Sequence, residues 1–335
     1  MTLRVAINGF GRIGRCAARL MADDFADRIE FVALNASGGP DVAAHLLKYD
    51  SVHGRFGHTV GSRGDDLRIG DQVVRMSAER DPNNLNWEGI DLVLECTGAF
   101  NSKEAASAHV KRGAKRVLCS APAKNSDKTI VYGVNHDTIT ADDLVLSAAS
   151  CTTNCLAPVA KVMHEAFGID KGFMTTIHSY TGDQPTLDRR HRKDPNRGRA
   201  AALSMVPTTT GAAKAVGLVL PELNGKLDGA AIRVPTPNVS CVDLTFTASR
   251  ATSVDEVNAA AKAAANGSLA GVLDYDADPT VSIDYNHSTA GSTFAAPQTR
   301  VMDGNLVRIL SWYDNEWGFT NQMLKVALAA GATIR

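Results

Sequence analysis

The sequence has no excess of charge of either sign: 35 Lys and Arg stand against 36 Asp and Glu, a formal net charge of -1 over 335 residues. Such a balance creates no broad field to draw in nucleic acid or an anionic membrane surface, so neither is expected as a partner, and polyanion binding must come from local clusters. No run approaches the roughly 18 consecutive apolar residues that span a bilayer, which argues against membrane insertion. Cysteine is scarce, at six residues without paired CxxC motifs, so a disulfide scaffold is excluded and no zinc pattern emerges. No HExxH pair argues for a metal either. The chain enters a strand-like pattern at Leu3, leaving no room for a signal or transit peptide, and a reducing cytoplasm is the expected location. Internal repeats and low-complexity tracts are also lacking.

What is present is length and periodicity. At about 150 residues per domain the chain predicts two domains, and 44% hydrophobic with 21% charged residues is ordinary for a folded chain. Apolar runs at Leu3–Asn8, Ile29–Asn35, Ile90–Thr97, Arg116–Ser120 and Leu144–Ala148 read as buried strands, with helix-like Arg12–Met21 and Ser102–Arg112 among them. That alternation predicts an α/β domain on a parallel sheet over residues 1–150. Gly57–Ser77 reads as short inserted antiparallel strands. After Cys151 come one helix to about Phe167, β-rich runs at Phe173–Ser179, Ala230–Val234, Val239–Thr247 and Leu306–Tyr313, and helices near Ser253–Ala265 and Glu316–Ala330. This half predicts an α+β domain on a largely antiparallel sheet.

Asn8-Gly9-Phe10-Gly11-Arg12-Ile13-Gly14 holds GxGxxG directly after a strand and at a helix start, the context of a Rossmann-type dinucleotide site. Gly9 allows the tight turn, Gly11 lets backbone approach a pyrophosphate, and Gly14 permits close helix packing. The alternative is a tight βα turn without ligand. The second strand ends in Leu34-Asn35-Ala36-Ser37 with no carboxylate to hold the adenosine ribose. Without that anion a 2′-phosphate is not repelled, and Ser37 offers it a hydrogen bond, so NADP is expected to be accepted at least as readily as NAD.

Ser150-Cys151-Thr152-Thr153-Asn154-Cys155 joins a strand to a helix. A thiol in the first helical turn meets backbone N–H groups and the positive end of the dipole, which favour thiolate, so Cys151 is the candidate nucleophile. Cys155 lies a turn deeper, and Cys16, Cys96, Cys119 and Cys241 fall on segments expected to be packed. A thiolate needs a base, and among nine histidines His178 is attractive because it ends a strand before the polar turn Ser179–Gln184. Spacing alone does not bring it to Cys151. The arginine-rich stretch Asp188–Arg199 reads either as a solvated loop or as a loop that meets phosphate groups.

NGFGRIG at Asn8–Gly14, SCTTNC at Ser150–Cys155, HSYTGDQ at His178–Gln184, PTTTGAAKAV at Pro207–Val216, RVPTPNVS at Arg233–Ser240 and WYDNEWG at Trp312–Gly318 together resemble the phosphorylating glyceraldehyde-3-phosphate dehydrogenases, along the whole chain and in order. The resemblance implies that Cys151 attacks the aldehyde, that His178 is the base, and that a thioester is captured by inorganic phosphate as an acyl phosphate, with NAD or NADP taking the hydride. It implies Thr181 and Arg233 at the substrate phosphate, and Ser150, Thr152, Arg197, Thr210 and Gly211 around the attacking phosphate. For the cofactor it implies Gly9, Phe10, Gly11, Arg12 and Ile13 near the pyrophosphate, Ala36, Ser37 and Arg80 near the adenosine half, Thr97 and Ser120 along the dinucleotide, and Asn315 on the carboxamide. It further implies a catalytic domain at 151–315, a final segment 316–335 packed back on the first domain, and a homotetramer.

Three positions depart from the common pattern. Ala36 stands where most NAD-preferring members have Asp. Arg189 and Arg190 stand where many have Leu-Pro, in a loop that in the family reaches a neighbouring subunit's adenosine site, so two cations there suit a 2′-phosphate. Phe319 replaces a tyrosine near the nicotinamide. Erythrose-4-phosphate dehydrogenase shares the cysteine motif and is the nearest rival, although the TTTGAAKA and TGDQ segments favour the triose enzyme. An RNA-binding or scaffold role with lost activity is the rival from another class, against which both Cys151 and His178 are retained.

Overall fold

A computed structural model describes residues 2–191 and 194–334. Two compact units make up the chain: Met1–Ile130 with Asn135–Ala149 and Met323–Arg335, and Val131–Val134 with Ser150–Gln322.

The first unit carries strands β1 (Leu3–Asn8), β2 (Ile29–Asn35), β3 (Val60–Arg63), β4 (Asp66–Ile69), β5 (Gln72–Ser77), β6 (Leu92–Glu95), β7 (Arg116–Cys119), β8 (Lys128–Thr129) and β9 (Val145–Ser147), with helices α1 (Arg12–Ala22), α2 (Gly39–Lys48) and α3 (Lys103–Lys111). They form one sheet in the order β3-β4-β5-β2-β1-β6-β7-β9-β8. From β5 to β8 every neighbouring pair is parallel. All four residues of β6 and of β7 are buried, as strands covered on both faces require. The Gly57–Ser77 insert does form antiparallel pairs, yet its last strand runs parallel to β2, so it extends the main sheet at one edge. The strand expected over Ile90–Thr97 is shorter, because Cys96 and Thr97 already turn away at the carboxyl edge.

The second unit carries α4 (Cys151–Phe167), β10 (Ile169–Ser179), β11 (Val206–Thr209), α5 (Ala212–Val219), β12 (Leu227–Val234), β13 (Ser240–Ala248), α6 (Val254–Ala265), β14 (Leu273–Asp276), β15 (Ser292–Ala295), β16 (Arg300–Met302) and β17 (Leu306–Tyr313); α7 (Trp317–Ala332) begins in it. The sheet runs β11-β12-β10-β13-β17-β15-β14, with β16 also on β17. It is mixed: β10/β12 and β14/β15 are parallel and the other pairs antiparallel. Alternation along β10 buries Met174, Thr176 and His178 on one face and turns Phe173 outward. The parallel register of β10 and β12 sets His178 opposite Arg233, and this pairing locates the site.

Candidate active site

Ser150 caps α4: its hydroxyl accepts the Thr153 N–H at 3.1 Å, which fixes the first turn and puts Cys151 at the first helical position. The half-buried Sγ lies 3.4 Å from His178 Nε2. The other ring nitrogen, Nδ1, is 2.7 Å from the Ser179 carbonyl oxygen, which only accepts, so the ring proton sits on Nδ1 and Nε2 turns a lone pair to the sulfur. Tyr313 braces both partners. Its hydroxyl bonds Thr152 Oγ1 at 2.8 Å and Thr176 Oγ1 at 2.9 Å, and its ring meets the imidazole edge-on at 5.9 Å.

Burial pushes the Cys151 thiol up, against the pull of Arg233 and of the Thr152 hydroxyl and N–H. The helix start supplies donors that favour thiolate, but desolvation outweighs them, so the thiol needs the proton acceptor that the sequence also calls for. Burial and then the Arg233 charge push the imidazole down to about 3, against the Ser179 carbonyl, and Arg197 pushes the same way. Both groups are thus neutral at rest, and the open Nε2 lone pair is placed to accept the thiol proton only as Sγ bonds to carbon.

Arg233 donates to the Ser179 carbonyl at 3.1 Å and to Thr181 Oγ1 at 3.3 Å, while its buried Nε has no hydrogen-bond partner among the described residues. An unsatisfied guanidinium N–H in this place calls for an acceptor such as a phosphate oxygen. Arg197 is held by Asp183 at 3.0 Å and by the Thr209 carbonyl at 3.3 Å. Next to it Thr210 accepts the Ala212 N–H at 3.1 Å and Gly211 caps α5. Arg189, Arg190 and Arg197 line an open cavity of about 720 Å³. Of the basic stretch, Arg192 and Lys193 lie outside the described residues. Asn315 is buried, and its side-chain oxygen receives the hydroxyls of Ser179 at 2.8 Å and Ser240 at 2.7 Å, an arrangement that turns its amide nitrogen away from them. Phe319 is buried at 4% exposure, so the ring is packed without the hydroxyl.

In the first unit, Gly9, Phe10, Gly11, Ala36, Ser37, Arg80 and Thr97 line a cavity of about 570 Å³. Gly9 has φ +99°, and a Cβ on Gly14 would lie 2.2 Å from the Gly9 carbonyl oxygen. By contrast a Cβ on Gly11 would meet no described protein atom within 4 Å. The space that Gly11 keeps is open to a ligand, and α1 begins there with no side chain capping its N-terminal N–H groups. This cradle fits a dinucleotide pyrophosphate. Arg12, Ile13 and Ser120 do not line the cavity. The Arg12 guanidinium pairs with Asp50, the Ser120 N–H donates to the Glu95 carbonyl at 3.0 Å, and Asn315 belongs to the other unit.

Sequence reasoning missed Tyr313, Ser179, Ser240 and Asp50. The first three lie inside the quoted motifs, which was the available signal; Asp50 carried none.

Residues 3–103 match the NAD binding domain of glyceraldehyde 3-phosphate dehydrogenase and residues 150–315 its C-terminal domain. The glyceraldehyde-3-phosphate dehydrogenase of Cereibacter sphaeroides is 62% identical over 331 residues, 99% of each chain. That of Xanthobacter flavus is 59% identical over 99% of each chain, and that of Geobacillus stearothermophilus 54% identical over 98% of each.

Proposed function

The chain belongs to the glyceraldehyde 3-phosphate dehydrogenase family, NAD(P)-dependent oxidoreductases that phosphorylate as they oxidise, and from that premise we propose that Cys151 is its nucleophile and His178 its base. The observation that carries the assignment is the 3.4 Å approach of Sγ to an imidazole nitrogen whose partner nitrogen is anchored on a carbonyl.

As Sγ attacks the aldehyde carbon, Nε2 takes the thiol proton and returns it to the developing alkoxide, giving a thiohemiacetal. His178 then removes that hydroxyl proton while the carbon gives up its hydride. A nicotinamide cofactor would supply the hydride acceptor when bound, and the family resemblance gives Asn315 the role of holding its carboxamide. Arg233 destabilises the transient imidazolium and so returns the proton to solvent. An oxygen of inorganic phosphate attacks the thioester carbon, the C–S bond breaks, and 1,3-bisphosphoglycerate leaves. The sulfur keeps the energy of oxidation in a reactive thioester, which an oxygen ester would not.

Thr181 and Arg233 hold the substrate phosphate in this reading, supported by the unpaired Arg233 Nε. Ser150, Thr152, Arg197, Thr210 and Gly211 hold the attacking phosphate. Residues 1–150 with the final helical segment form the dinucleotide-binding domain and 151–315 the catalytic domain. Buried Ala36 and exposed Ser37 support NADP acceptance, with Arg189 and Arg190 of a neighbouring copy as further cations in a homotetramer.

The test is to mix the protein with aldehyde and cofactor in the absence of phosphate and map the acyl group by mass spectrometry. The adduct is expected on Cys151 and should vanish when phosphate is added. An acyl group on another residue would overturn the assignment.

A further inference from the structure

The last residues of four adjacent parallel strands, Ser77 of β5, Asn35 of β2, Asn8 of β1 and Glu95 of β6, are tied into one hydrogen-bonded chain. Asn35 accepts the Ser77 hydroxyl at 3.0 Å and the Glu79 N–H at 2.9 Å, and donates to the Glu79 carbonyl at 2.9 Å and to Asn8 Oδ1 at 2.7 Å. Asn8 in turn donates to Glu95 Oε2 at 2.6 Å. The other carboxyl oxygen of Glu95 accepts the Thr97 N–H at 2.8 Å and the Thr97 hydroxyl.

Glu95 and His109, from α3, are both 0% exposed. His109 Nε2 lies 3.0 Å from Glu95 Oε2, and His109 Nδ1 is 2.9 Å from the Trp87 indole nitrogen. Indole N–H only donates, so Nδ1 is the acceptor and Nε2 carries the proton to Glu95. All four groups on Glu95 are therefore donors, the complement of a carboxylate. A fully buried carboxyl group with neutral donors in place of a cation is costly to build, and its contribution to fold stability is small.

Its position gives it a use. The carboxyl edge of a parallel sheet is where such folds bind ligands, and Asn8, Asn35, Glu79 and Thr97 all line the cavity beside Gly9 and Gly11. We infer that Glu95 and His109 are positioning residues for the dinucleotide: through Asn8, Asn35 and Thr97 they fix the strand ends that bound the cofactor cavity, without touching the cofactor. This rests on the reading that the cavity takes NAD(P).

Cofactor Kd, measured by calorimetry on the full chain, tests it together with melting temperature and steady-state constants. His109→Leu leaves Glu95 short of a donor and should weaken NAD(P) binding by about tenfold, the scale of an unsatisfied buried acceptor. His109→Gln keeps a donor at Nε2 and should recover most of that loss. In both variants kcat at saturating cofactor should stay within about twofold of the parent, because the loss is confined to cofactor binding. A second arm serves if the leucine variant does not fold: Trp87→Phe keeps an aromatic ring three hydrogen bonds from the cavity-lining Asn8 and Thr97 and should weaken binding by about threefold through the unlocked imidazole. Folded variants with a lower melting temperature and an unchanged Kd would overturn the inference, leaving the pair a support for the fold. Absence of cofactor binding by the parent protein would refute instead the reading on which it rests.

Discussion

An imidazole anchored at one nitrogen works as a base in one direction, and His178 is anchored so that this direction is the Cys151 sulfur. With the thiol pushed up by burial, its reactivity depends on handing the proton across. His178→Asn should therefore slow iodoacetamide alkylation at pH 7 by about tenfold or more and move the alkylation profile to higher pH; an unchanged profile would separate the two residues functionally. Cys151→Ser should cost several orders of magnitude in phosphate-dependent turnover while cofactor Kd remains, as removal of a covalent nucleophile does. At the adenosine end, Ala36→Asp sets a carboxylate where a 2′-phosphate is expected and should weaken NADP binding by about 1 to 3 kcal/mol, with little effect on NAD. Parallel titrations with the two cofactors read that difference. Cys151 was legible in the sequence because a thiol at a helix start has a local reason to react. His178 stood out as a candidate from its place at a strand end before a polar turn, but its pairing with Cys151 came only from the family resemblance, since nothing in the spacing reveals that β10 and β12 run in parallel register and carry it beside Arg233.

Elements were legible where periodicity and breakers agreed. Leu3–Asn8 forms a strand with the expected bounds, and the expected helix Arg12–Met21 runs one residue further, because an apolar run, a glycine turn and an amphipathic stretch follow one another there. Helix α2 was not read, since Gly38, Gly39 and Pro40 resemble a loop. A proline in the first turn is in fact compatible with a helix start, and Ala43 with Leu47 gave the buried stripe that marks it. The segment after α2 is tied to α1 by Asp50, which accepts the N–H groups of Val52 at 2.8 Å and His53 at 2.9 Å and pairs with Arg12. Burial alone would raise this carboxyl, yet Arg12 and the two N–H groups hold it well below the usual carboxylate range. A depressed carboxyl stabilises the fold above its unfolded value and loses that contribution as pH falls towards its folded one. Asp50→Asn should accordingly lower stability by about 1 to 3 kcal/mol at pH 7, with the gap to the parent narrowing below about pH 4. Urea midpoints at pH 7 and pH 3 measure it, and an equal gap at both would remove the ion pair as the cause.

At the scale of the whole molecule, composition says nothing about oligomeric state, and the exposed surface says more. Every described large apolar side chain more than half exposed belongs to the second unit, with Leu187 at 74%, Leu203 at 78% and Met205 at 73% within one short stretch, and Phe173 at 53% on the outer face of β10. A monomer would leave these groups in water, whereas a homotetramer of the kind proposed above would cover those that fall on its two-fold interfaces. In such an interface each substitution is felt twice. Leu203→Glu combined with Met205→Glu brings like charges together across it, with no hydrogen-bond donor supplied in exchange. The double variant should sediment as a smaller species than the parent, which is expected to run as four chains at micromolar concentration, while the first unit's cofactor cavity, built from its own strand ends, keeps its affinity for NAD. Because Arg189 and Arg190 are proposed to serve a neighbour's 2′-phosphate, NADP affinity should fall with the loss of assembly even though NAD affinity holds. A parent protein that sediments as a monomer, or a dissociated variant whose NADP affinity is unchanged, would break the link between assembly and cofactor choice.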